Sequence, residues 1–378
     1  MAFKHGIFGS TDESGVRPML MADTSFAVVV GTAPDADPSV FPAKKPILIA
    51  GNPHKLTKLD MVGNKAGTLP NFMASVYDQK RCSICVIRVE EGADEAATIA
   101  NIIGGVDPAT GEKQGIEAIL DVQAITGKRP RLLTVAGYSH NQSVLTALLP
   151  IATRLRCKVF ADCPGSTYED AVAYRQLWGD RRLELFWPRV RNKFDELVPM
   201  SAFALGVEIQ KDQDPNYGYS ASISNLRING ALGTEFPIDY ADGDTNCLSH
   251  LLINDDGLRL WGNLSCSDDP QWQFNAHVRI NDMVLDMVTA GLKWARDRKI
   301  LTTFVEDVVE SVQNGLDGEV RAGHMYGAKA WADPDLNPPE VIISGNFYLD
   351  YDFTPPGLAQ AIHVTSHFTN DYADVIFK

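Results

Sequence analysis

The chain has 378 residues, 45% of them apolar and 22% charged, a size that suits two or three domains with substantial cores. Its net charge of −14 is uneven: residues 1–228 hold 25 acidic and 25 basic side chains, residues 229–378 hold 23 acidic and 9 basic. Such an acidic surface repels phosphate backbones and argues against nucleic-acid binding; no apolar run reaches the roughly 18 residues of a bilayer span, so no membrane insertion is expected.

Residues 1–22 scatter apolar positions among Gly, Ser and Asp without a helical period. They also lack the basic region and apolar core of a secretory signal, so the protein is expected to be made in the cytoplasm and to leave it, if at all, by lysis. Residues 25–31 read as a buried strand, and the four prolines in 32–46 mark a loop. From residue 46 strands and helices alternate. Strands are expected over 46–50, 82–89, 132–136, 157–161 and 183–187, with helices over 69–79, 115–126, 141–155, 167–177 and 197–211. Short apolar strands separated by helices of about 10–15 residues predict right-handed βαβ units and a largely parallel sheet. The change in charge near residue 228 marks a domain boundary.

Beyond it, residues 212–231 read as loop, 247–253 and 258–261 as strands, and 274–280 as a strand or a helix lead-in. A long helix is expected over 281–299, capped by Asn281 or Asp282, and a second over 302–314, closed by Gly315. Residues 341–350 alternate apolar positions as a strand does, and residues 358–378 alternate again over Ile362, Val364 and Phe368.

Motifs for chemistry fail on their own requirements. Cys82-Ser-Ile-Cys85 matches C-x-x-C, but on a strand residues three apart point to opposite faces, and no second close pair completes a tetrahedral site. The six cysteines are expected reduced and buried. Gly105 to Lys113 has the wrong glycine spacing for a phosphate loop and places Glu112 inside it, so it reads as a turn. Gly137-Tyr-Ser-His-Asn141 sits where a nucleophile elbow would lie, which keeps a hydrolase using Ser139 as the enzyme-class alternative; Asn141 replaces the elbow's last glycine. Asp268 and Asp269 are adjacent and precede a proline, a turn signal. His363 and His367 lie about 13 Å apart on one strand face, too far to share a metal. No catalytic residue, cofactor or metal site is expected.

Trp261-Gly262-Asn263 with Asp268-Asp269-Pro270 resembles the conserved-domain signature of contractile tail sheath proteins of phages and R-type bacteriocins. The start, Phe3-Lys-His-Gly-Ile7, and the Pro355-Pro356-Gly finish agree, so the resemblance spans the chain. It implies an α/β fold: a parallel-sheet outer domain (23–228), an α+β conserved sheath domain (229–357), and extended arms at 1–22 and 358–378. The arms, with Phe3, His5, Ile7, Ile362, Val364 and Phe368, would add strands to neighbouring subunits. The resemblance further implies a homo-oligomer of stacked six-fold rings around an inner tail tube, with baseplate and tail terminator proteins as partners. Contraction would drive the tube through a bacterial envelope, in a virion tail or phage-like particle assembled in the host cytoplasm. A secretion-type sheath subunit is the nearer alternative. Four of the nine basic residues beyond 228 fall within one run: Lys293, Arg296, Arg298 and Lys299. They are expected at the end of the first long helix, where cations complement its dipole, and the resemblance makes them candidates for binding the tube.

Overall fold

The computed structural model describes residue 19, residues 23–236, the backbone of 250–254, and residues 257–373. Its first half supplies β1 (Ala27–Thr32), β2 (Pro46–Ala50), α1 (Pro53–Leu56), α2 (Leu69–Gln79), β3 (Ser83–Val89), α3 (Glu95–Ile103), β4 (Gly105–Val106) and β5 (Lys113–Gln114). A 3-10 segment then leads into α4 (Val122–Thr126), followed by β6 (Leu132–Val135), α5 (Gln142–Leu155), β7 (Lys158–Asp162), α6 (Tyr168–Arg175) and β8 (Leu183–Trp187). Next come β9 (Val190–Asn192), β10 (Leu197–Val198), α7 (Met200–Asp212), β11 (Ala231–Thr234), β12 (His250–Asn254) and β13 (Leu258–Trp261). The last part holds α8 (Asn275–Gly291), α9 (Thr302–Arg321), β14 (Gly327–Trp331), α10 (Pro339–Ile343) and β15 (Asp350–Thr354).

Eight strands form one sheet in the order β13-β12-β8-β7-β6-β1-β3-β2. Six of them run parallel, from β3 to β12, and the two edges β2 and β13 are antiparallel. The inner strands are mostly apolar and buried along their length because helices cover both faces. On one side α3, α5 and α6 pack Ile102, Leu145, Leu148 and Ala171 against the sheet. On the other, α2 and α7 contribute Phe72, Met73, Phe203 and Leu205. This is the α/β class expected. Cys82 and Cys85 lie in the cores on opposite faces, as strand alternation requires.

The expected break at residue 228 does not interrupt the sheet, because β12 joins β8 in parallel and β13 closes the edge. A third core lies beyond it, where α8, α9 and the β14–β15 hairpin bury Ile280, Met283, Val284, Met287, Val312 and Leu316.

The misjudged elements are mostly in this last part. Asn281 and Asp282 cap nothing: α8 starts six residues before Asn281, behind Phe274, and Asp282 is buried inside it as an ion-pair partner. That helix ends at Gly291, not at 299, and passes into a 3-10 turn, Leu292–Ala295. Gly315 does not stop α9, which runs on to Arg321; a β-carbon at Gly315 would lie 3.2 Å from Met19 and 3.3 Å from Met287, so the position serves close helix packing. The strand expected over 341–350 is displaced. Pro339 starts the short helix α10, Gly345 at φ 85° ends it, and both Tyr348 backbone groups bond to Asn337. The strand begins at Asp350 and pairs with β14, which the alternation did not reveal. Residues 197 and 198 belong to β10, with Pro199 before α7. The unforeseen α3 is capped by Asp94, whose carboxylate accepts from the Ala97 amide at 2.7 Å.

Candidate assembly surfaces

The β14–β15 hairpin is a two-stranded sheet standing on α9. Ala330, Tyr351 and Phe353 turn into the third core. No further strand pairs with β15 on its other side among the described residues, so that edge presents unpaired backbone groups.

From β15 the chain passes Pro355 and Pro356 into residues 358–373, which pair with no strand among the described residues. Two bonds hold the root of this segment. Gln360 Nε2 donates to Asn263 Oδ1 at 2.7 Å, and His277 Nε2 lies 3.2 Å from the Pro356 carbonyl oxygen. Asn263 of the Trp-Gly-Asn signature is thus buried and anchors the tail. Beyond that point Ile362, Val364 and Phe368 are 81%, 87% and 96% exposed. Their even spacing puts all three on one face of an extended chain, fully available to a partner. Phe3, His5 and Ile7 lie outside the described residues.

Lys293, Arg296, Arg298 and Lys299 are all exposed, and none makes an ion pair among the described residues. Dipole complementation accounts for Lys293, within the 3-10 turn that continues α8, but not for Arg296, Arg298 and Lys299, which follow that turn. The run is shaped by aromatic packing instead. The Arg298 guanidinium lies 5.2 Å from the Trp294 ring, which packs on Phe304 at 6.3 Å, and Phe304 meets Phe347 edge-on at 6.0 Å. The four cations therefore project from a supported turn.

Sequence reasoning missed the charged seam that ties α8 to the sheet. Arg279, Asp282 and Asp286 stand at i, i+3 and i+7, one face of the helix, and all three are buried. Asp282 pairs with Arg182 ahead of β8; Asp286 receives Arg131, Arg129 and Arg156 from the starts of β6 and β7. Arg279 reaches Glu208 and Asp212 on α7. Glu208 also meets Lys158 at 2.9 Å and Lys211 at 2.8 Å. Burial would raise the Glu208 carboxyl, but Lys158, Lys211 and Arg279 outweigh it and hold it well below the usual carboxylate range. Asp286 is likewise depressed: the Arg131 and Arg156 hydrogen bonds overcome its burial. The legible signal was three charges at helical spacing on the face that should have been apolar.

A cavity of about 440 Å³ opens at the carboxyl ends of β6, β7 and β8. Its buried acid, Asp162, accepts from the hydroxyls of Ser139 and Ser201 at 2.7 and 2.6 Å, and burial pushes its carboxyl above the ordinary value. Ser139 is only 1% exposed and does not line that cavity, which keeps its hydroxyl out of a substrate's reach. The Gly105 region is a turn between β4 and β5, with Asp107 accepting from the Ala109 and Thr110 amides. Asp269 caps a 3-10 turn by accepting from the Gln271 amide. His363 and His367 are exposed in the tail. No helix among the described residues is long and apolar enough to cross a membrane.

Residues 267–369 match the model of the phage tail sheath C-terminal domain. A prophage major tail sheath protein of Pseudomonas aeruginosa is 33% identical over 99% of this chain and all of its own length. The tail sheath protein of Escherichia phage P2 is 29% identical over 98% of this chain and 96% of its own. Among solved structures, the contracted helical sheath of the anti-feeding prophage superposes with a TM-score of 0.73 at 17% identity, covering 97% of this chain and 99% of that one, a likeness of fold.

Proposed function

This chain belongs to the contractile tail sheath family, and on that premise we propose that it polymerises by exchanging terminal strands and grips an inner tube through the Lys293–Lys299 turn. Its role as a structural subunit of a contractile sheath follows from the family. The reading of assembly rests chiefly on one observation: among the described residues the tail bearing Ile362, Val364 and Phe368 is solvent-exposed and pairs with no strand, while the same chain carries a two-stranded sheet whose β15 edge is open. Strand addition satisfies both, since each backbone bond nets about 1 kcal/mol and the apolar face is removed from water.

In this reading copies stack as six-fold rings around a tube, end on baseplate and terminator proteins, and assemble in the bacterial host cytoplasm into a phage tail or a phage-like particle. The arms are 1–22 and 358–378, the outer α/β unit is 23–228, and the conserved unit is 229–357 with its first strands lent to the outer sheet. Movement would come from changed contacts between copies, with no catalytic step in this chain. The buried seam between α8 and the sheet supports motion of each copy as one piece. The test is negative-stain microscopy of purified chain beside the triple variant Ile362→Asp, Val364→Asp, Phe368→Asp. Tubes from the first alone support strand exchange; tubes from both remove the C-terminal arm from the interface.

A further inference from the structure

The two edges of the β14–β15 hairpin differ. On the β14 side, Gln313 of α9 reaches the backbone: its Nε2 donates to the Ala328 carbonyl at 3.2 Å and its Oε1 accepts from the Ala330 amide at 2.8 Å. Asp317, one turn along α9, accepts from the same Nε2 at 2.8 Å and fixes the amide's orientation. Ala328 and Ala330 flank Lys329, and an amide N–H points one way only, so the Ala330 donor is turned away from β15. In a parallel ladder, one residue of an added strand makes this same pair of bonds, donating to the carbonyl before its partner and accepting from the amide after it. The Gln313 side chain, itself a primary amide, therefore stands in for one residue of a third strand.

We propose that Gln313 guards the β14 edge, closing it to strand addition in the unassembled chain, and that the extended C-terminal segment of a second copy displaces it on assembly. This rests on the strand-exchange reading above and adds which edge is regulated and by which residue. The occupant follows from what the chain offers: beyond the Gln360–Asn263 bond, residues 361–373 are exposed, alternate in polarity over Ile362, Val364 and Phe368, and pair with no strand among the described residues. With the β15 edge open, the plug acts on the β14 edge alone and reserves that edge for assembly. A side-chain amide suits the task because its two bonds are easily broken yet saturate the groups an incoming strand needs in either orientation.

The test uses full-length Gln313→Met, which keeps the bulk and removes both bonds. The lowest concentration giving sheath tubes should fall about tenfold, the scale of two modest hydrogen bonds no longer to be displaced. An unchanged or higher threshold in a variant that still melts cooperatively would overturn the guard and leave Gln313 as a tie between hairpin and helix. Should the variant not fold, the wild-type tube decides: the Gln313 amide must have left Ala330, and an amide still within bonding distance refutes the proposal. Failure of strand exchange itself reads out separately, as tubes formed by the Ile362→Asp, Val364→Asp, Phe368→Asp chain, and would remove the proposed occupant as well.

Discussion

Met19 packs where a β-carbon on Gly291 would stand: such an atom would lie 2.6 Å from Met19 Cγ and 2.8 Å from its sulfur. A residue from the N-terminal segment thus plugs the junction of α8 and α9, more than 270 positions away in sequence.

Gly291→Ala should expel Met19 and destabilise the fold by about 1–3 kcal/mol, the usual cost of overpacking. In a Met19→Ala background the same change should cost much less, since the clashing atoms are gone. Thermal unfolding of the four chains of this cycle measures the coupling; strictly additive effects would show that the two positions do not touch.

Glu208→Gln should cost about 3–5 kcal/mol, because Lys158, Lys211 and Arg279 would be left buried with too little negative charge. The pH dependence has a definite sign. Glu208 and Asp286 are held below their ordinary values, so their stabilisation is complete above about pH 4 and is lost as pH falls through the depressed folded values. Asp162 opposes this, since burial raises it and its protonated form favours the fold. Denaturant midpoints measured from pH 5 to 2 should fall for the wild type and fall less steeply for Glu208→Gln.

Reversing Lys293, Arg296, Arg298 and Lys299 to Glu should leave the melting temperature within a few degrees of wild type, as all four are exposed and none makes an ion pair among the described residues. Extended sheaths around a co-expressed tube protein should disappear, while tubes of sheath alone persist. Normal extended tails from the quadruple variant would refute tube docking; loss of both products would assign the turn to a contact between copies. Since surface charges are screened within about 8–10 Å at physiological salt, moderate salt should weaken the wild-type pairing.

Ile362→Asp, Val364→Asp and Phe368→Asp together should not change the unfolding midpoint of the unassembled chain, because these side chains contact solvent and not its core. A clear loss of stability would mean that the tail packs on its own chain.

The sequence by itself determined the outer sheet. Its strands are buried on both faces, so runs such as Leu132–Val135 and Leu183–Trp187 are apolar but for Thr134 and Glu184, and α5 announces itself by Asn141 and a regular apolar stripe. Local pattern and tertiary environment agree there. The residues of the proposed assembly surfaces stood out in the sequence too, as an alternating tail and a dense basic run. What only the tertiary structure decided are the places where a distant partner overrides local preference. Asp282 sits inside a helix because Arg182 waits for it across the seam, and Gly315 continues α9 because Met19 and Met287 fill the space beside it. The strand after Asp350 forms against β14, and Gln313 closes that strand's far edge with a side chain no backbone periodicity records. Periodicity reports which face of an element is buried; it carries no information on which remote group supplies the countercharge, the close contact or the last hydrogen bond.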